Sequence, residues 1–285
     1  MEDTYTHSKR IIKEKIFPFK KEYWKLKNYS DNSIMSLNLR ADKIKDNSNN
    51  WIYRRDSIIK MIKHYSPDII CCQEAMPHMV KFLKAKLGCN YDCYGVDTFI
   101  GSRIDKIYIL GSLGNVIFFN KNKYKVLKKS VFWLADKTCY PNNSWGSKEP
   151  RNCISLKLKE IETNKIYTIF STHFDHISKE SRDLSTKLLI KKADSYKDSD
   201  NIFFVGDFNA TISNSELSEF SNYDYYPKQN SVLTTYNGFG KNKNIICDYI
   251  ISNKNINARF EQITDGFGIK YLSDHYPMII FYGKN

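Results

Sequence analysis

Asp207 and Asn209 lie two residues apart in the stretch FFVGDFNA, directly after the apolar run NIFFV. An acid and an amide delivered together at the end of a buried strand make either a polar turn or half of an active site. Similar junctions recur along the chain. Asn38 follows SIMSL, Gln73 and Glu74 follow DIICC, and His173 with Asp175 and His176 follows YTIFST. Asp248 opens CDYII, and Asp274 with His275 opens HYPMIIFY. Three of the six histidines, His173, His176 and His275, fall in these junctions, whereas His7, His64 and His78 lie in segments without companion acids.

These residue types suit hydrolysis of a phosphate ester. Such esters resist attack because an anion must approach an anion, so a hard divalent cation is the expected device. Mg2+ takes oxygen ligands, which Asn38, Glu74 and Asp274 supply, and Mn2+ is an expected substitute. Asp207 with Asn209 offers an acceptor and an orienting amide to a nucleophilic water. His173 and His275, if protonated, are donors for the equatorial oxygens of the transition state. Asp248 would hold His275 in orientation and raise its pKa. Taken singly, each junction reads equally well as a turn, a helix start or a surface bend.

The elements that must position these groups are mostly strands. Short runs rich in Ile, Phe, Val and Tyr occur at 33–39, 68–72, 115–119, 130–134, 152–158, 167–174, 201–208, 247–252 and 275–282. Two segments carry helical spacing instead. In WIYRRDSIIKMIKHY the apolar face reads Ile52, Ile58, Ile59, Ile62 and Tyr65, and in SKESRDLSTKLLIKKADSY it reads Leu184, Leu188, Leu189 and Ala193. Many strands with few helices point to an α/β protein of two packed sheets with helices outside. A chain of 285 residues without repeats or Pro/Ser linkers reads as a single domain over 33–285 behind a basic extension over 1–32.

In order, the motifs MSLNLR, CCQEA, STHFDH, VGDFNA, CDYI and SDHYP resemble those of the endonuclease/exonuclease/phosphatase superfamily of metal-dependent phosphoesterases, the DNase I-like proteins. The resemblance covers about residues 33–283. The segments WIYRRDSI, YSPDIICCQE, VFWLADK with SWGSKEPR, and STHFDHISKESR are closer still to a mainly bacterial branch of that superfamily. The resemblance implies a four-layered α/β sandwich of mostly antiparallel sheets, and the roles given above to Asn38, Glu74, His173, Asp207, Asn209, Asp248, Asp274 and His275. Arg151 resembles an arginine typical of the branch and suits bidentate capture of a phosphate. Arg40 is a second candidate for phosphate contact, or a surface arginine. Trp145 either stacks on a base or sugar or caps the core, and Asp175 and His176 either meet substrate or support His173. Arg182 reads as structural. One departure stands out: many of these proteins carry Gly-Glu where this chain has Ser112-Leu113.

The motifs specify cleavage at phosphorus and leave the substrate open. A net charge of +13 and the basic run Lys9–Lys27 favour polyanions, so the leading expectation is a Mg2+-dependent nuclease acting on DNA or RNA. The alternatives are a phosphatase or phospholipase acting on inositol phosphates or sphingomyelin, and an impaired homologue that only binds nucleic acid. Seven cysteines without paired C-x-x-C modules read as free thiols, and Cys89 with Cys93 lacks a second pair to complete a metal site. No signal peptide or membrane span is expected, and the chain is expected to be cytoplasmic and monomeric.

Overall fold

The apolar runs are oily throughout because their strands bury both faces. In β8 (Asn201–Asp207), Phe203 and Val205 point into a core between two sheets, while Ile202 and Phe204 point into a second core under a helix. The computed structural model describes residues 31–42, 44–95, 114–196, 198–199, 201–228, 231–241, 244–254 and 256–283. The basic extension expected over 1–32 lies outside them but for its last two residues. Asn32 already pairs with Tyr282, so the sheet begins one residue earlier than expected.

Two mixed sheets of six strands each form the centre. The first runs β11 (Ala258–Gln262), β12 (Met278–Tyr282), β1 (Asn32–Asn38), β2 (Ile69–Ala75), β4 (Gly114–Asn120), β3 (Tyr91–Gly95). The second runs β5 (Tyr124–Trp133), β6 (Asn152–Glu160), β7 (Ile166–His173), β8, β10 (Asp248–Ser252), β9 (Asp224–Tyr226). Each sheet has one central parallel pair, β1 with β2 and β7 with β8, and its other pairs are antiparallel. Helices α1 (Trp51–Tyr65) and α2 (Pro77–Leu87) cover the first sheet, and α3 (Lys179–Ala193) covers the second. This is the four-layered DNase I-like sandwich. Truncating a fully buried ring such as Phe204 to Ala is expected to cost about 3–5 kcal/mol.

Several elements differ from the sequence reading. Helix α2 was not expected, although Pro77 at its first turn and Met79, Val80, Phe82, Leu83 and Leu87 on one face announce it. Strand β5 begins at Tyr124, not Ser130; its first half is an exposed, lysine-rich edge without an apolar run. Strands β3, β9 and β11 are short or half-exposed and carry weak patterns. On α1 the buried face includes Trp51, Arg54 and Met61, while Ile52 is only partly buried. On α3 it is Ser181, Ser185, Thr186, Leu189 and Ala193, while Leu184 and Leu188 sit at its margin. No helix among the described residues is long and apolar enough to cross a membrane.

Candidate active site

The parallel pairs bring the polar junctions to one end of the sandwich. Parallel neighbours end together, so Asn38 lies beside Gln73 at the exits of β1 and β2, and His173 beside Asp207 at the exits of β7 and β8. Their antiparallel partners enter at that same end, so Asp248 at the start of β10 faces Asp207. Close approach is needed here. A Cβ at Gly206, whose φ is +148°, would stand 1.9 Å from Thr172 O, so only glycine lets β8 lie against β7 one residue before the acid.

Asp207 is the meeting point. Its Oδ2 lies 3.3 Å from Asn38 Nδ2, 3.5 Å from His173 Nε2 and 3.7 Å from His275 Nε2. Its Oδ1 accepts from Asn209 N at 2.9 Å. The carboxyl is pushed up to about 7, by burial first and by the charge of Asp248 second, against the pull of His275 and the Asn209 N–H. His275 has the opposite balance. Burial opposes its charge, but Asp248 Oδ2 at 2.8 Å from Nδ1, together with Asp207, outweighs burial and holds its pKa well above the ordinary value. The imidazolium is therefore the stable form of His275 at neutral pH. The ring of Tyr236 packs edge-on against it, with centroids 5.0 Å apart.

Glu74 and Asp274 face the same space from the first sheet. A register shift between Cys72 and Ala75 marks a bulge in β2, where Glu74 takes φ +54°. Left-handed backbone at a non-glycine residue stores strain, and Arg40 and Asn209 share it at +54° and +48°. Glu74 Oε2 accepts from Ala41 N at 2.8 Å and Oε1 from Asn38 Nδ2 at 3.3 Å. The Asn38 oxygen accepts from Arg40 N, so this side chain turns donors, not an oxygen, toward the acids. Asp274 Oδ2 pairs with Arg40 Nη1 at 3.2 Å, and burial raises its pKa, with Glu74 adding to the rise. Burial is the first cause of both rises, and a neighbouring carboxylate adds to each, Asp248 for Asp207 and Glu74 for Asp274. A hard divalent cation fits such an oxygen-rich, electron-rich donor set.

The remaining candidates have contacts of their own. Arg40 is bound bidentately to Asp46 at 2.9 and 3.0 Å as well as to Asp274, so its guanidinium is already engaged. Asn209 turns its side-chain amide to Phe174 O at 2.9 Å, closing the turn after β8. Arg151 is buried, 3.1 Å from His176 Nδ1 and 3.7 Å from Asp175 Oδ2, with Nε and Nη1 lacking hydrogen-bond partners. Asp175 accepts from the backbone N–H groups of Lys148, Ile177 and Ser178. Burial favours its neutral form, but these donors and Arg151 outweigh burial and lower its pKa. Burial and Arg151 together lower that of His176. Trp145, partly exposed, donates from Nε1 to Asp136 Oδ1 at 2.6 Å. Arg182 donates to Asp175 O and to Glu216, a structural tie. The positions Ser112 and Leu113 lie outside the described residues.

Some supporting residues carried no signal in the sequence. Buried Arg54 donates to Leu39 O, Arg40 O, Asn49 O and Leu272 O, and burial draws its pKa down to about 10. It thereby ties the exit of β1 to the segment before Asp274. Asn115 donates to Asn152 O at 3.0 Å and to its Oδ1 at 2.9 Å, joining the sheets beside the site. Asn152 opens β6 and Asn115 stands second in β4, and an asparagine at a strand start was the available clue. Asp46 had no such mark.

Comparison with known proteins finds a matching family and similar folds. Residues 35–275 match the model of the family described as "Endonuclease/Exonuclease/phosphatase family". An uncharacterized protein of Acanthamoeba polyphaga mimivirus is 29% identical over 258 residues, covering 81% of this chain and 92% of its own. An endonuclease/exonuclease/phosphatase from Bacteroides vulgatus superposes with a TM-score of 0.78 at 25% identity, over 90% of this chain and 100% of its own. A mannosyl-6-phosphatase from Bacteroides thetaiotaomicron does so with a TM-score of 0.77 at 23% identity, over 89% and 100%.

Proposed function

Because this chain belongs to the endonuclease/exonuclease/phosphatase family and is a phosphoesterase, we propose that it is a Mg2+-dependent phosphodiester hydrolase that cleaves DNA or RNA by in-line attack of water. The observation that carries this reading is the convergence of Asn38, His173 and His275 on one carboxylate oxygen of Asp207, with Glu74 joined through Asn38.

Each group then has a part. Asp207, with a pKa near neutrality, accepts the proton of the attacking water. Asn209 aims that carboxylate through its backbone N–H, a positioning role distinct from the water-orienting amide expected of it. His275, kept protonated by Asp248, donates to the developing charge on an equatorial oxygen, and His173 approaches from the opposite sheet. Glu74 and Asp274, with Asn38 beside them, would hold Mg2+. When bound there, the ion neutralises phosphate charge and polarises the P–O bond. Arg151 presents Nη1, which lacks a hydrogen-bond partner among the described residues, to a flanking phosphate.

The +13 charge favours a polyanionic substrate over a small ester. All seven cysteines are free, which suits the reducing cytoplasm we assign to the protein, acting as a monomer. The test is a panel assay in Mg2+ against single- and double-stranded DNA, RNA, inositol phosphates, a sugar phosphate and sphingomyelin, beside Asp207→Ala. Cleavage of nucleic acid that EDTA and Asp207→Ala both abolish is the expected result. Preference for a small phosphate ester would make the protein a phosphatase. Nucleic-acid binding without turnover would make it a binder that has lost its chemistry.

A further inference from the structure

Cys247 stands directly before β10 and has no part in the chemistry above. Its backbone is pinned on both sides: its N donates to Thr235 Oγ1 at 3.0 Å and its O accepts from Phe208 N at 2.7 Å. Its Sγ is buried, 3.5 Å from Asp248 Oδ2 and 3.7 Å from Thr235 Oγ1. From there the sulfur, one carboxylate oxygen of Asp207 and one ring nitrogen of His275 all lie within 4.8 Å of one another. This donor set differs in kind from the carboxylate oxygens of Glu74 and Asp274. One thiolate, one imidazole and one carboxylate select zinc over magnesium, because sulfur and nitrogen donors bind the softer, later ion far more strongly. Zinc sits about 2.3 Å from sulfur and about 2.0–2.2 Å from nitrogen or oxygen, so small side-chain rotations close these donors around one ion.

We propose that Asp207, Cys247 and His275 form an inhibitory zinc site. On binding, the Cys247 thiol and the His275 imidazolium each release a proton to solvent, as does Asp207 where it is protonated, and Zn2+ takes the thiolate, the freed imidazole nitrogen and a carboxylate oxygen, with water completing four-coordination. Asp207 then no longer accepts a proton from water, and His275 no longer donates to phosphate. The inhibition rests on the function proposed above; the binding of zinc does not.

The experiment separates the two. Cobalt(II), which occupies zinc sites and shows a near-ultraviolet charge-transfer band when bound to thiolate, is titrated into the full chain and into Cys247→Ala and Cys247→Ser. A band in the wild type that Zn2+ displaces and that both variants lack is the expected result. Its absence from the wild type overturns the site, and its persistence in the variants does so too by assigning it to another thiol, such as exposed Cys139. In parallel, both variants keep the wild-type rate in Mg2+ alone but need at least about tenfold more Zn2+ for half inhibition. Equal zinc sensitivity overturns the inhibitory role. Should no substrate be hydrolysed at all, the proposed function fails while the cobalt spectra still decide the site.

Discussion

Replacing Asp207 by Asn keeps the shape of the side chain and removes its ionisation. In the metal-free protein, burial and then the charge of Asp248 push this carboxyl from 3.8 up to about 7. A rise of about 3 disfavours the ionised form in the fold by about 4 kcal/mol, at about 1.4 kcal/mol per pKa unit. The direction fixes the sign. Below pH 3.8 the group is protonated in the folded and the unfolded chain, and nothing is lost. Between 3.8 and about 7 the unfolded chain releases a proton that the folded chain retains, so stability falls as pH rises. Above about 7 the folded chain carries the buried charge and the loss is complete. The Asp207→Asn protein escapes it. Its new N–H group, facing Asn38, costs about 1–3 kcal/mol at every pH, which cancels when the variant and wild type are compared at two pH values. Urea denaturation in EDTA at pH values of about 4 and about 8 should therefore show the stability difference moving in the variant's favour by up to about 4 kcal/mol. Hydrolysis in Mg2+ should fall by about 10²–10⁴-fold in the same preparation. A stability difference that is flat with pH, or that moves against the variant, refutes the reasoning.

Four further outcomes are expected. His275→Ala should lower kcat by about 10²–10³-fold with its circular dichroism unchanged, and Asp248→Asn should move the alkaline limb of the pH–rate profile to lower pH, since Asp248 raises the pKa of His275; an unmoved limb would detach Asp248 from that role. Gly206→Ala should destabilise the protein by more than about 2 kcal/mol, because its Cβ meets Thr172 O at 1.9 Å, and an unchanged melting temperature would contradict the close approach of β7 and β8. Arg151→Met should raise KM for a nucleic-acid substrate with kcat nearly kept if its Nη1 takes a flanking phosphate, whereas loss of kcat alone would argue against that contact.

The sandwich was legible because strands buried on both faces advertise themselves. NIFFV and DIICC cannot be exposed, and the polar residues that end such runs must emerge at a sheet edge. Composition could not say which edge. The shared end of Asn38, Glu74, His173 and Asp207 follows from two parallel pairs, and parallel pairing depends on crossovers that periodicity does not reveal. Partner choice was equally hidden. Asn209 was read as presenting its amide to water, yet the turn after β8 leaves Phe174 O in need of a donor and the amide supplies it. Arg40 shares its guanidinium with Asp46, six residues on in an irregular segment, and no spacing rule marks such a pair. Arg54 is not among the apolar positions that marked its helix. Its four carbonyl partners come from loops brought together only in the finished fold, where a buried guanidinium satisfies them all.

The centre described above belongs to neither half of the molecule. Asn38, Glu74, Asp274 and His275 arrive with one sheet, and His173, Asp207 and Asp248 with the other, the two sets being laced by Asn38 to Asp207, His275 to Asp248 and Asn115 to Asn152. Sliding of one layer over the other by about an ångström would leave every ladder intact yet unmake the constellation. Turnover should therefore serve as a strain gauge for the seam, fading under mild denaturant before far-ultraviolet dichroism registers any change.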